Sequence, residues 1–325
     1  MDRSSYFIKD VALFGSHPIQ DDVIELEKAG VKIFVDLTYP QERKITDYTT
    51  QYEYIRYPIA DRRIPTDRFR FCMFIVDIAQ KIKNLPRGDK IYIHCKGGHG
   101  RSGIVVSVLL CYIFGLNPEV SMEYTNDFHS KRKEMREKWR QLGAPQTYQQ
   151  KNFVYHLCKK IYFYKAVNMG NTAGFSLFTN HTVTIPGLGT FFTAEAALQA
   201  HKDPGNAEYV NQLLNTKNPV AAKCIGRHIP FDDEWRKKEP DIIYKILKYK
   251  FDQHSRLKLA LCMSGLGIIV HHTKSDPYLG NGMDGYGENI LGKQLTRLRL
   301  YYYKNNQNLQ DEQPTPLNGD TVLSR

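Results

Sequence analysis

A chain of 325 residues, 42% hydrophobic and 24% charged, has room for two domains of roughly 150 residues, each able to bury a core. That composition excludes a fibrous or disordered protein. A net charge of +11 favours anionic partners such as phosphorylated substrates, nucleotides, acidic proteins or nucleic acid, and does not choose among them.

The first half alternates β-rich and helical runs. Val11 to Gly15 and Val31 to Leu37 read as strands, with a helix over Asp21 to Ala29 between them that Gly30 stops. Tyr54 to Ile59 predicts a strand, and Thr66 is placed to cap a helix from Asp67 to Lys83. A turn at Pro86–Asp89 precedes a strand over Lys90 to His94 and a helix over Arg101 to Phe114. Further helices are expected over Pro118 to Trp139 and Thr147 to Lys160. This alternation predicts an α/β fold, a mainly parallel sheet flanked by helices. The run Lys131 to Lys138 mixes charge signs and reads as a solvated helix face, which leaves nucleic-acid binding weakly indicated.

Apolar content drops at Asn168–Gly174, placing a domain boundary near Lys165, with domains over 1–164 and 165–304. The second is expected to be mostly helical α+β. Strands are predicted at Thr182 to Ile185 and Ile268 to His272, and helices at Ala194 to Lys202, Ala207 to Leu214 and Asp241 to Met263. From Asn305 the chain is polar with two prolines, predicting a flexible tail over 305–325. The longest apolar run, 104–116, is shorter than the ~20 residues of a membrane-spanning helix, so no span is expected. The opening MDRSSYFIKD lacks the features of a secretion signal. The six cysteines form no CxxC pair, so reduced thiols and a cytoplasmic, reducing location are expected.

Strand 90–94 runs into Cys95-Lys96-Gly97-Gly98-His99-Gly100-Arg101-Ser102-Gly103 and then into a helix. A glycine-rich turn between a strand and a helix N-terminus aims backbone N–H groups and the positive end of the helix dipole at one spot, which an oxyanion fills. Gly97, Gly98 and Gly100 let the backbone wrap closely. Arg101 offers a planar fork for two phosphate oxygens. A cysteine at the floor of such a cup is stabilised as the thiolate, the nucleophilic form. Ser102 is placed to hydrogen-bond the sulfur. His94 either orders the loop or is a buried, hydrogen-bonded histidine.

With these residues the chain resembles the protein tyrosine phosphatase superfamily, whose HCxxGxxR signature followed by Ser or Thr fits without a gap. The resemblance covers about residues 6–160 and is nearest to the small dual-specificity type. It implies phosphomonoester hydrolysis through a cysteinyl-phosphate. It also implies an acid on an upstream loop, for which Asp61, 34 residues before Cys95, is preferred to Asp67, a residue of the next helix's first turn. Gln146, in Gly143-Ala144-Pro145-Gln146-Thr147-Tyr148, corresponds to the glutamine that positions the hydrolytic water. Lys96 and His99 add positive charge to the cup and resemble the basic loops of phosphoinositide-hydrolysing relatives. Inositol lipids or other polyphosphates are therefore an alternative to phosphorylated protein as substrate.

From about Ile161 the chain resembles the NADAR family, linked to ADP-ribose and to N-glycosidic substrates including riboflavin-pathway intermediates. The matching stretches include Phe175-Ser176-Leu177-Phe178, Thr193 to Ala200, Ala222 to Arg227, Trp235, Lys250-Phe251 and Asp276 to Gly280. Breaking a sugar–nitrogen bond develops positive charge on the sugar, which one carboxylate stabilises while another activates water. Glu195 and Asp276 match the family's acidic positions. Trp235 is placed to stack on a heterocycle or to fill the core, and Lys202 or Arg227 to hold a phosphate or to serve as surface charge. Leu177, His271, Leu279 and the pair Ala197-Leu198 depart from the family's usual residues, which leaves the choice between cleaving a ribosyl-phosphate or ADP-ribose-type ligand and only binding it. Neither chemistry calls for a metal or cofactor. The combined expectation is a bifunctional hydrolase; a non-catalytic phosphate-recognition protein is the rival from another class.

Overall fold

The computed structural model describes residues 2–164, 170–230 and 232–305. The expected boundary at Lys165 and all of the predicted 305–325 tail but Asn305, which ends the last helix, lie outside the described residues.

The first half comprises β1 (Ser4–Ile8), β2 (Ala12–Ser16), α1 (Gln20–Lys28), β3 (Val31–Asp36), β4 (Glu53–Arg56), α2 (Arg68–Asn84), β5 (Lys90–Cys95), α3 (Gly100–Phe114), α4 (Pro118–Ser130), α5 (Glu137–Leu142) and α6 (Tyr148–Cys158). The strands form one sheet in the order β1-β2-β5-β3-β4. Only β1 is antiparallel, an edge strand not foreseen in the sequence. β2, β3 and β5 read as almost unbroken apolar runs because helices cover both faces of the parallel part. The helix α3 is buried nearly all round, at the centre of the first half.

Two expectations are corrected here. Asp67, not Thr66, caps α2, accepting the Arg70 N–H at 2.9 Å. The continuous helix expected over 118–139 is broken between Ser130 and Glu137. The break turns Arg132 inward, so that its guanidinium donates to the carbonyls of Gly98 and Phe14 at 2.8 and 3.1 Å. Arg140 spans the gap by donating to Ser130 O and Arg132 O. Arg132 is thus a structural pin beneath the Cys95 loop rather than part of a solvated face.

The second half holds β6 (Ile161–Phe163), a 3-10 turn (Gly170–Phe175), β7 (Val183–Ile185), β8 (Gly189–Phe191), α7 (Ala194–Ala200), α8 (Ala207–Leu214), α9 (Pro219–Gly226), α10 (Asp233–Gln253), α11 (Ser255–Met263), β9 (Ile269–His271) and α12 (Ile290–Asn305). β6 pairs in parallel with β9, and β7 with β8 forms a hairpin. α10 starts earlier than expected and carries Pro240 inside, because the Asp232 carboxylate caps its first turn by accepting the Trp235 N–H at 2.7 Å. Lys250 on α10 is fully buried and donates to Gly174 O, Ser176 O and Thr179 Oγ1 at 2.8, 2.7 and 2.7 Å. It fixes the segment whose Leu177 carbonyl accepts the Glu195 N–H at 3.0 Å.

The halves share a packed seam. Tyr303 of α12 meets Phe69 of α2 edge-on at 5.4 Å, and Leu266 N–H donates to Leu157 O at 2.8 Å. No helix of the described residues is long and apolar enough to cross a membrane.

Candidate active site

Cys95 ends the central strand β5, level with Ser16 of β2 and one residue beyond the Asp36–His94 pair of β3 and β5. Loops at the carboxyl ends of parallel strands are where open α/β sheets bind ligands. The loop after Cys95 turns through Gly98 at φ +72°, where a Cβ would meet the Gly15 backbone at 2.4 Å. A side chain at Gly100 would collide with the Gln150 amide. Both glycines are therefore set by close approach as well as by wrapping.

Asp61, Cys95, Arg101 and Gln146 line one pocket of about 330 Å³, together with Trp139 and Gln150. Arg101 is 2% exposed. Its fork donates to Glu42 at 2.6 and 2.8 Å, to Ile59 O at 3.1 Å and to Asp61 Oδ1 at 3.0 Å. Burial resists the charge of both partners, but the pair of short bonds outweighs it: Glu42 is held below the usual carboxylate range and Arg101 above its own. Asp61 reaches the guanidinium from the loop after β4, which hydrogen-bonds to the sheet through Ile59 N–H and Leu37 O at 3.2 Å. Its side chain is 58% exposed. Asp67 is occupied as the cap of α2. The Ser102 hydroxyl is buried without a hydrogen-bond partner among the described residues.

Gln150 was not foreseen. Its Oε1 accepts the N–H groups of Gln146 and Thr147 at 3.2 and 3.1 Å, while its Nε2 donates to Arg63 O at 3.2 Å. It ties the Gln146 segment to the Asp61 loop. The T-x-x-Q pattern at Thr147–Gln150 signalled only the capping box that it also completes. Glu42, likewise unforeseen, lies in a polar connection that carries no periodicity.

Two expected charges are not delivered into the cup. Lys96 lines the pocket, but its ammonium is engaged by Arg43 O at 2.6 Å, with Glu42 at 4.0 Å. Burial, reinforced by Arg132, lowers His99 to about 4, so it is neutral near pH 7. His99 stacks on Trp139, and its Nδ1 lies 2.7 Å from His129 Nε2. His94 is fully buried, with its Nε2 2.7 Å from the Tyr48 hydroxyl and its Nδ1 3.7 Å from Asp36. His17, Asp36 and His94 place one ligand atom each within 4.8 Å of one another, the one such group among the described residues.

In the second half, Glu195 in the first turn of α7 is buried and accepts from Gln199 Nε2 at 2.8 Å. Burial raises its carboxyl above the usual range. Lys202 donates to Gly226 O at 2.9 Å and lies 6.0 Å from the Trp235 ring centre; burial lowers its ammonium. Lys202 and Trp235 both border a cavity of about 380 Å³. Glu239, one turn beyond Trp235, is a buried carboxyl raised by burial and felt by Glu195 and Lys202. Lys223 on α9 also acts on both. These two were missed, although Glu239 is i+4 from Trp235 and Lys223 sits inside a quoted stretch.

Asp276 Oδ1 accepts the N–H groups of Tyr278 and Leu279 at 3.1 and 2.8 Å, and its charge is felt by Glu239 and His271. Arg227 is an exposed residue at the C-cap of α9. The structure thus gathers Glu195, Lys202 and Trp235, with Asp276 linked to them through Glu239. The departures Leu177 and His271 are a buried core residue and a ring stacked on Phe163 at 5.0 Å.

Two family models match. One, a Swiss Army Knife protein, DSP-PTPase phosphatase domain, spans residues 2–154, and the NADAR domain spans 162–301. The chain is 30% identical over 296 residues to "Putative tyrosine phosphatase 197R" of Invertebrate iridescent virus 6, covering 90% of each. It is 32% identical over 127 residues to the N-glycosidase YbiA of Escherichia coli strain K12, 38% of this chain and 78% of that protein. Over 154 residues it is 30% identical to the chloroplastic riboflavin biosynthesis protein PYRR of Zea mays, 43% of this chain and 24% of that protein.

Proposed function

Because the chain belongs to the family that joins a dual-specificity-type phosphatase domain to a NADAR domain, we propose that this hydrolase works at two sites, one for phosphomonoesters and one for N-glycosides. The observation that carries the first is the single pocket bordered by Cys95, Arg101, Asp61 and Gln146.

There, Cys95 attacks phosphorus while Arg101 and the loop N–H groups of residues 96–100 hold the equatorial oxygens. Asp61 protonates the departing oxygen. Ser102 then donates to the sulfur and Gln146 orients the water that frees phosphate and restores Cys95. A phosphorylated protein side chain is the substrate class favoured. The polyphosphate alternative loses its main support, because Lys96 turns to Arg43 O and Glu42, and His99 is neutral.

At the second site, burial raises the Glu195 carboxyl above the usual range, the direction that suits a proton donor to the departing nitrogen. Asp276 stabilises positive charge on the sugar, and Trp235 stacks on the base. The substrate class favoured is a ribosyl phosphate or ADP-ribosyl N-glycoside; the bacterial relative is named an N-glycosidase and the plant relative a riboflavin biosynthesis protein. We also place the domain boundary near Lys165.

The test is a panel assayed with the full chain: phosphotyrosine, phosphoserine and phosphothreonine peptides, phosphoinositides, pyrimidine ribosyl phosphates and ADP-ribosylated substrates. Phosphate release from peptides that is lost in Cys95→Ser, and base release that is lost in Glu195→Gln, are the expected results. Undiminished release in either variant contradicts the corresponding site.

A further inference from the structure

The imidazole pair beside the Cys95 loop serves no purpose in the mechanism above, yet its geometry is specific. His99 closes the loop as the N-cap of α3 and lines the pocket. A Cβ at Gly97 would come within 2.9 Å of His99 Nε2, so the far edge of the ring lies against the loop. Trp139 stacks on the ring face at 5.1 Å and 19°, which fixes its plane. The near edge is fixed by His129 of α4, whose Nε2 lies 2.7 Å from His99 Nδ1.

Burial and the neighbouring Arg132 lower His99 to about 4 and His129 to about 3, so both rings are neutral near pH 7. Two neutral imidazoles at that distance share one proton, and one ring donates while the other accepts. His129 decides which. Its other nitrogen, Nδ1, is buried and has no hydrogen-bond partner among the described residues. A proton there would be an orphaned buried N–H, a rarer and costlier arrangement than an unfilled acceptor. The proton of His129 therefore resides on Nε2 and points at His99 Nδ1, which accepts it. His99 is left with its own proton on Nε2, the edge that faces the loop.

We propose that His129 is a positioning residue that locks His99 as a neutral Nε2–H donor to a phosphate oxygen held by the Cys95 loop. The inference rests on the reading of that loop as a phosphate site. It gives the loop a side-chain donor beyond Arg101 without adding charge. It also accounts for a buried histidine on a helix that contributes no other group to the pocket.

The test uses full-length protein with ¹⁵N-labelled histidine, inorganic phosphate as the probe, and the variants His129→Gln and His129→Phe. A glutamine amide can donate from nearly the same place as His129 Nε2, whereas phenylalanine cannot donate. The expected spectrum shows His99 neutral and protonated on Nε2 in the wild type and His129→Gln, with and without phosphate. His129→Phe is expected to bind phosphate about tenfold more weakly, the loss of one hydrogen bond to a charged group, while His129→Gln stays within about twofold of wild type. If His129→Phe does not fold, the wild-type and His129→Gln spectra still decide. His99 protonated on Nδ1, or charged, in the phosphate complex overturns the proposal; so does wild-type phosphate affinity in a folded His129→Phe. Phosphate binding by a His99 that carries its proton on Nδ1 overturns the proposal alone, whereas failure of the wild type to bind phosphate overturns the reading of the loop as well.

Discussion

Removing Glu42 probes how Arg101 is held. In Glu42→Ala the fork loses two partners, at 2.6 and 2.8 Å, and a nearly inaccessible guanidinium keeps only Ile59 O and Asp61. Hydrogen bonds to charged groups contribute about 1.5–3 kcal/mol each, and breaking a buried ion pair costs about 3–5 kcal/mol. Asp61 is largely exposed, and water entering from the pocket screens the freed charge, so the net loss of stability should be about 2–3 kcal/mol. Activity should fall further than stability implies, because the released fork drifts from the position in which it meets two phosphate oxygens. A misaimed charge clamp of this kind lowers kcat/KM by about 10- to 100-fold. Urea unfolding gives the first quantity, and phosphate release from an aryl phosphate, measured well below the unfolding midpoint, gives the second. Since Glu42 is held ionised below the usual range, both effects should persist across neutral pH. A variant with unchanged unfolding and kcat/KM within about twofold of wild type would refute the reasoning.

Asp61→Asn should lower kcat by about 100-fold or more, the contribution of a positioned acid, and Asp67→Asn should leave it near wild type because asparagine caps a helix as well as aspartate. Equal losses in steady-state assays of the two would reverse the assignment. Lys250→Met strands three buried acceptors and should destabilise the chain by about 2–4 kcal/mol in urea unfolding. Lys250 is lowered by burial to about 7 from an ordinary 10.5, so between those values the unfolded chain binds more protons than the folded one and stability rises with pH. The methionine variant should lose that rise, and an unchanged slope between pH 7 and 10 would discount the lowering of Lys250 by burial. Glu195→Gln should abolish base release while phosphate release is untouched; a parallel loss of both activities would contradict separate sites.

Much of the first domain was legible because its signals are local. The strand, glycine turn and helix around Cys95 occupy consecutive residues, and the parallel strands announce themselves as apolar runs. What escaped depends on contacts distant in sequence. Glu42 and Gln150 gain meaning only when the chain brings them to Arg101 and to the Gln146 segment. Arg132 hid in a mixed-charge run because charge pattern does not reveal that one arginine turns inward. β1, an edge strand buried only at Phe7, shows no period-2 pattern, and the three-residue strands β6 and β8 are too short for one. In the second domain Glu195, Lys202 and Trp235 were visible through resemblance, but the buried Glu239 and the half-buried Lys223 were not. Both lie on helices whose burial is set by packing against α7.

In the proposed reaction, phosphate passes through Cys95. Rapid quenching of the full-length chain with ³²P-labelled phosphotyrosine peptide tests it most directly. The expected result is a burst approaching one labelled phosphate per chain, bound through sulfur at Cys95 and absent from Cys95→Ser. Continued phosphate turnover with no label on the protein, and at the same rate in Cys95→Ser, would contradict it.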